Sequence, residues 1–244
     1  MRPKRILILG GTGLAREAAA ALLGRGHHVM SSLAGVTSQP HLPEGDVRIG
    51  GFGGFEGLTK YLQSETFDLV VDATHAFAAQ ISRHAAAAAR STDTELIRLQ
   101  SLAWTALPPD HWTDVADIDA AIASLGLGQK IAVTVGRKDV AKFFARVDLS
   151  GVARMIEPPE TVVPPQWHVV LERPPFMFES ETAFLRAHGA AVLVCKNAGG
   201  MRPAKLDAAA ALKLPVVMIA RPEKPVVNVV GSVEELLGSL AQAR

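Results

Sequence analysis

A single cysteine, Cys195, stands among 244 residues. No disulfide can close within the chain, and no cysteine cluster can hold zinc. The eight histidines show no metal-ligand spacing such as His-Glu-x-x-His, so no metal site is expected. No run of about 18 apolar residues occurs, which excludes a membrane-spanning helix. Charge of one sign is also lacking: Lys and Arg total 25 against 24 Asp and Glu, which does not mark a nucleic-acid binder. Met1 to Arg5 mimics the basic start of a secretion signal. Only Ile6 to Leu9 follow before Gly10-Gly11, too short for the apolar core of such a signal. The expectation is a protein of the reducing cytoplasm.

What is present is core-forming material. Apolar residues make up 48% and charged residues 20%, which excludes disorder over most of the length. A chain this long buries ~70% of its unfolded surface and needs no staples. The near-neutral charge is unevenly spread. Residues 1–122 carry ten basic and thirteen acidic side chains, whereas residues 123–244 carry fifteen and eleven. The second half therefore favours an anionic ligand.

Short apolar runs alternate with helical patterns. Arg5–Leu9 reads as a buried strand closed by Gly10-Gly11-Thr12-Gly13, and Leu14–Leu23 as a helix stopped by Gly24. Further strands are expected at His27–Ser32, Val47–Ile49, Phe67–Val71 and Glu95–Leu99, with helices at Glu56–Ser64 and Ala76–Arg90. Gly35–Gly45, with Pro40 and Pro43, reads as loop, and so does Ser101–Thr113 with Pro108-Pro109. Helices then follow at Asp117–Leu125, Asp139–Val147, Glu179–His188, Ala204–Leu212 and Val233–Leu240. Strands fall at Lys130–Val135, Val152–Ile156, His168–Leu171, Ala191–Cys195, Val216–Ile219 and Val226–Val230. Such alternation means parallel sheets covered by helices. The strands are too many for one comfortable sheet, so the expected fold is α/β, two doubly wound Rossmann-like lobes with a cleft between them. Residues 1–100 are the expected dinucleotide lobe and 101–244 the expected substrate lobe.

Chemistry is expected at the loops that follow strands. Gly10, Gly11, Thr12 and Gly13 link the first strand to the first helix, where glycines let a pyrophosphate approach and the helix start offers free N–H groups. The third position after Gly13 is Arg16, where the dinucleotide fingerprint has Gly or Ala. The second strand ends Val29-Met30-Ser31-Ser32, without the acid that holds the ribose of NADH. Arg16, Ser31 and Ser32 are candidates for a 2′-phosphate, which favours NADPH. Asp72-Ala73-Thr74-His75 ends another strand: Thr74 is a candidate helix cap, and His75 a candidate substrate or proton group. Later strand ends carry Arg137 and Lys138, then Lys196, Asn197, Arg202 and Lys205, then Arg221. A cation at a helix start opposes the helix dipole, so the set suits a ligand with several carboxylates or phosphates. Cys195 follows Val192-Leu193-Val194 and reads as core.

Taken in order, these segments resemble a known family. They are Gly10-Gly11-Thr12, Ser32-Leu33-Ala34-Gly35, Gly50-Gly51-Phe52-Gly53-Gly54, Asp72-Ala73-Thr74-His75-Ala76-Phe77-Ala78, Thr134-Val135-Gly136-Arg137-Lys138, Lys196-Asn197-Ala198-Gly199-Gly200 with Lys205, and Arg221-Pro222. The set is similar to the precorrin-6A reductases, the cobalt-precorrin-6A form included, and spans nearly the whole chain. Two positions depart from the family pattern: Ala76 stands where proline is frequent, and Ser101-Leu102-Ala103-Trp104 stands where Arg-Pro often precedes a tryptophan.

The resemblance implies an NADPH-dependent reductase of cobalamin biosynthesis that reduces one double bond of the precorrin-6A macrocycle to give precorrin-6B. Ala73 and Thr74, with the glycine loop, would lie at the cofactor. Arg137, Lys138, Asn197, Lys205 and Arg221 would hold the carboxylates of the tetrapyrrole, and His75 and Lys196 would be the candidate proton donors. Aromatics at 5% favour charge pairing over ring stacking in holding the substrate. Hand-over contacts with neighbouring pathway enzymes would follow. Two alternatives compete: a non-catalytic NADP(H)-binding redox sensor, which has no need of the cationic loops, and a sugar-nucleotide reductase. The second is disfavoured because Tyr61 is the only tyrosine and position 65 is Glu, so the Tyr-x-x-x-Lys pair of short-chain dehydrogenases is missing.

Overall fold

The structure, a computed structural model, describes residues 2–35 and 41–242. The middle of the expected Gly35–Gly45 loop, residues 36–40, lies outside the described residues. The chain begins β1 (Arg5–Leu9), α1 (Gly13–Gly24), β2 (His28–Leu33), β3 (Asp46–Ile49), α2 (Phe55–Glu65), β4 (Leu69–Asp72), α3 (Ala79–Ser91) and β5 (Glu95–Leu99). It continues through β6 (Trp112–Val115), α4 (Ile118–Ser124), β7 (Lys130–Thr134), α5 (Val140–Phe144), β8 (Ser150–Met155), β9 (Trp167–Leu171), α6 (Phe178–Ala187), β10 (Val192–Lys196), α7 (Ala204–Ala211) and β11 (Val216–Ile219). It closes with β12 (Asn228–Val230) and α8 (Val233–Gln242).

Two compact units form: residues 1–102 with 223–244, and residues 103–222. Each holds one six-stranded parallel sheet. The first runs β3-β2-β1-β4-β5-β12, so the strand order reverses between β1 and β4. The second runs β9-β8-β7-β10-β11-β6 and reverses between β7 and β10. Ligands of open α/β sheets bind outside the carboxyl ends of strands at such reversals. Both sheets thus follow one spatial plan. The sixth place is filled in the first sheet by a strand from the end of the chain, and in the second by the first strand of its unit.

The central strands are buried on both faces, which is why β1, β4, β10 and β11 read as apolar runs. Alternation along β1 sends Ile6 and Ile8 to one face, against Ala15, Ala18 and Leu22 of α1 and Leu236 and Leu240 of α8. Leu7 and Leu9 face Leu58 and Leu62 of α2 and Ala85 and Ala88 of α3. Full burial of one such aliphatic side chain contributes roughly 1.5–3 kcal/mol. In the second unit Leu193, Cys195, Val216 and Met218 pack on Leu185, Leu206 and Ala209. Cys195 is buried with Sγ 3.8 Å from Met218 Sδ, and burial pushes its thiol pKa up, as suits a core residue.

Beyond shifts of one to three residues at element ends, the structure departs from the sequence expectations as follows. β6 falls at the end of the stretch read as loop; its exposed Thr113 and Asp114 lack a strand's apolar signature because it is an edge strand, paired among the described residues with β11 alone. α3 starts at Ala79 rather than Ala76, after a turn closed by Ala78 N–H on His75 O at 2.8 Å. α5 is short, ending at Phe144. Finally, residues 223–244 belong with the first unit, so the division into 1–100 and 101–244 does not hold at the C-terminal end. The reason is packing: β12 pairs with β5, and Val230, Val233, Leu236 and Leu240 complete the core on the α1 side of the first sheet.

Candidate functional site

In the first unit, the loop after β1 crosses the end of β4 at the strand-order reversal. Gly10 donates its N–H to Ser32 O at 3.0 Å and has φ +119. A Cβ there would lie 2.6 Å from Ala73 O, so only glycine fits. Thr12 caps α1: its Oγ1 accepts from Ala15 N at 3.1 Å and donates to Ala73 O at 3.0 Å. The threonine therefore ties the glycine loop to the Asp72–His75 loop. The first-turn N–H groups of α1 have no partner inside the helix, and that arrangement binds phosphate.

The three residues expected at a 2′-phosphate are placed differently from one another. Arg16 folds back, donating from Nη1 to Gly11 O at 2.9 Å. Ser31 is buried on the face that carries Val29, and its hydroxyl has no partner among the described residues. Ser32 lies on the opposite face, where its Oγ accepts from Arg48 Nη1 at 3.0 Å. Arg48 was not singled out in the sequence. The β2–β3 register sets it opposite Ser32, a relation invisible until the pairing is known. Its one linear signal was its place just before Gly50-Gly51-Phe52-Gly53-Gly54.

Asp72 is buried at the end of β4. Its Oδ1 accepts from Thr74 Oγ1 at 2.6 Å and Thr74 N at 3.3 Å, and its Oδ2 accepts from Arg98 Nε at 3.2 Å. Thr74 therefore braces its own loop and meets Ser82 Oγ at 3.3 Å; it does not cap α3, whose N-cap is Ala78. His75 is exposed. Its Nδ1 accepts from Phe77 N at 3.2 Å, so the neutral ring carries its proton on Nε2. Lys224 Nζ reaches His75 O at 3.3 Å. The structure thus brings together Gly10, Gly11, Thr12, Gly13, Ala73, Thr74 and His75.

In the second unit, the expected cations gather around the β7/β10 reversal. Lys205 Nζ donates to Thr134 Oγ1 at 3.0 Å, and Lys196 Nζ meets Asp139 Oδ2 at 2.5 Å. Arg137 Nη2 lies 3.5 Å from Glu160 Oε1, and Lys138 is exposed. Arg221 donates to the carbonyls of Asn197 and Ala198 at 3.0 and 2.9 Å, and burial lowers its pKa from the usual guanidinium value. Asn197 is turned to the chain itself: its Oδ1 accepts from Trp104 N at 2.8 Å and its Nδ2 donates to Trp104 O at 2.9 Å. Arg202 grips Asp110 with both Nη atoms, at 3.0 and 2.7 Å, and Asp207 with Nε. These two residues anchor backbone and acid. Lys196, Lys205, Lys138 and Arg137 place ammonium and guanidinium groups at this end of the sheet, the chemistry that pairs with carboxylates in general. Among the described residues no three His, Cys, Asp or Glu side chains cluster as a metal site. Nor is any helix among them long and apolar enough to cross a membrane.

Known proteins match over this whole framework. A family profile described as Precorrin-6x reductase CbiJ/CobK matches residues 5–241. The precorrin-6A reductase of Rhodococcus erythropolis is 47% identical over 240 residues, covering 97% of this chain and 96% of its own length. That of Rhodobacter capsulatus is 39% identical over the same shares. The cobalt-precorrin-6A reductase of Priestia megaterium is 29% identical, covering 96% of this chain and 97% of its own. A solved structure, CobK precorrin-6A reductase, superimposes with a TM-score of 0.91 at 39% identity, covering 98% of this chain and 96% of that one.

Proposed function

The chain belongs to the precorrin-6x reductase family, and from that premise we propose a division of labour in which the first unit holds NADPH and the second the substrate carboxylates. It is an oxidoreductase of cobalamin biosynthesis, acting on a CH–CH group of a tetrapyrrole precursor with a nicotinamide coenzyme. The redox-sensor and sugar-nucleotide alternatives are thereby set aside.

One observation carries the choice of NADPH. The glycine loop and α1 start stand at the β1/β4 reversal, and the end of β2 offers the Ser32 hydroxyl where a ribose-binding carboxylate would stand in an NADH enzyme. The residues fit the coenzyme in a second respect. Gly51 has an ordinary φ, and a Cβ there would meet nothing within 4 Å, so internal packing does not demand glycine; open space above the loop does suit a ligand.

NADPH, when bound, supplies the hydride from C4 of its nicotinamide. The chain's own residues bind, orient and protonate. Gly10 to Gly13 and the first turn of α1 bind the pyrophosphate. Ala73 and Thr74, braced by Asp72, hold the loop beside it. Lys196, Lys205, Arg137 and Lys138 bind the acetate and propionate groups, which fixes the ring and stabilises negative charge as it develops, and Arg221 braces the Asn197–Ala198 loop beside them. The proton required at the neighbouring carbon comes from the Lys196 ammonium, or from the imidazolium form of His75, which forms once Nδ1 releases the Phe77 N–H and takes a proton. The double variant Lys196→Ala/Lys205→Ala tests this division. The expected outcome is a rise in KM for precorrin-6A with the NADPH dissociation constant unchanged. Unaltered kinetics would remove both lysines from the site.

A further inference from the structure

The geometry points to Arg48 as the residue that selects a 2′-phosphorylated coenzyme, an inference that rests on the NADPH reading above. Its setting combines three features. The first is position. Arg48 is the register partner of Ser32 at the carboxyl end of β2, where dinucleotide sites meet the adenine ribose. The second is rigidity. Nη1 donates to Ser32 Oγ at 3.0 Å and Gly50 O at 2.9 Å, and Nη2 donates to Gly51 O at 3.2 Å. The guanidinium lies 4.0 Å from the ring centre of Phe52 and 5.3 Å from that of Tyr61. Stacking and carbonyls thus hold the planar fork before any ligand arrives, which lowers the ordering cost of binding.

The third feature is unspent capacity. A guanidinium has five N–H donors, and the three bonds above leave one on Nη2 and one on Nε. Among the described residues no carboxylate lies within ion-pair distance of Arg48. Arg154 and Arg202, in contrast, are neutralised by Glu181 and Asp110. A preorganised, partly buried cation with two N–H groups left and a neighbouring hydroxyl matches a dianionic phosphate monoester. The other cation near the loop, Arg16, spends Nη1 on its own loop carbonyl. Phe52 acts through Arg48 and is a positioning residue.

The test uses the whole chain and two probes that differ only in the phosphate: adenosine 2′,5′-bisphosphate and 5′-AMP, titrated calorimetrically at moderate salt, with NADPH and NADH alongside. The wild type is expected to bind the bisphosphate roughly 10- to 100-fold more tightly than AMP, the range for charge-assisted hydrogen bonds. Arg48→Gln should bring that ratio within about threefold while AMP affinity moves less than threefold. Arg48→Lys should restore only part of it, because an ammonium cannot present the stacked fork. Phe52→Leu, which keeps the cation, should lose part of the ratio and guards against a folding defect in the Arg48 variants. A ratio retained in Arg48→Gln overturns the role of Arg48 and leaves the NADPH reading standing. A wild type without preference between either pair of probes overturns both.

Discussion

Replacing Arg98 with methionine should destabilise the first unit by about 3 kcal/mol, a figure that follows from what the guanidinium touches. The Asp72 side chain is fully buried and that of Arg98 is 6% exposed, with Nε 3.2 Å from Oδ2. Removing one partner of such a pair leaves an uncompensated buried charge and costs about 3–5 kcal/mol. The Pro225 carbonyl also loses its 2.9 Å donor, about 1 kcal/mol more. Against this, Arg98 Nη2 is already buried without a partner among the described residues, and methionine removes that penalty of about 1–3 kcal/mol. Methionine keeps the length of the stem, so little packing is lost. The assay is denaturant unfolding of the whole chain followed by circular dichroism, with hydrogen exchange read at the β12 amides. Those amides should lose protection first, because Arg98 ties residue 225 to the sheet just ahead of β12. The double variant Asp72→Asn/Arg98→Met should recover at least about 1 kcal/mol of the loss, since asparagine keeps the Thr74 contact without the charge. A loss below about 1 kcal/mol, or strict additivity of the two substitutions, would mean that Arg98 does not compensate the buried Asp72 charge.

Three other perturbations have definite outcomes. Gly10→Ala forces a Cβ to 2.6 Å from Ala73 O at φ +119; backbone strain of about 1–3 kcal/mol should lower the melting temperature, and coenzyme affinity should fall at least tenfold by titration. Asn197→Ala strips both the N–H and the carbonyl of Trp104 of their side-chain partner, which should cost about 1–3 kcal/mol in a thermal melt. The third concerns pH. Burial acts to raise the Asp110 carboxyl, but the paired Arg202 guanidinium and the Leu107 N–H overcome it and hold the pKa below the ordinary carboxylate value. Because the folded value is the lower one, the stabilisation is present above the unfolded value of about 4 and is lost as pH falls through the folded one. Urea midpoints of wild type and Arg202→Leu should therefore differ at neutral pH and converge in acid. A constant offset across the range would contradict that assignment.

Much of this architecture was legible because its central strands are covered on both faces. Arg5–Leu9 and Val216–Ile219, apolar apart from Arg5, match their strands residue for residue, and so does Glu95–Leu99 although it carries Glu95 and Arg98. β6 was hidden because an edge strand needs no apolar run: Thr113 and Asp114 are exposed there. The destination of β12 was hidden for another reason. Which sheet a terminal strand joins depends on long-range packing, and Val226–Val230 carries no mark of its partner. At the site, the glycine loop could be read because its spacing is local. Arg48 could not, since its relation to Ser32 is a cross-strand one. Asn197 shows a second kind of hidden relation: both ends of its amide bond the Trp104 backbone, a partner 93 residues away that no local spacing announces.

Hydride transfer from NADPH to the macrocycle is read out by a single-turnover reaction. Purified protein is mixed with precorrin-6A and NADPH deuterated at the transferable C4 position, and both absorbance spectra are followed before the product is analysed by mass. One NADPH should be oxidised per macrocycle reduced, one deuterium should appear in the product, and NADH at the same concentration should react at least tenfold more slowly. NADPH that binds without oxidation while the macrocycle spectrum stays fixed, or NADH that serves equally well, would contradict an NADPH-dependent reduction.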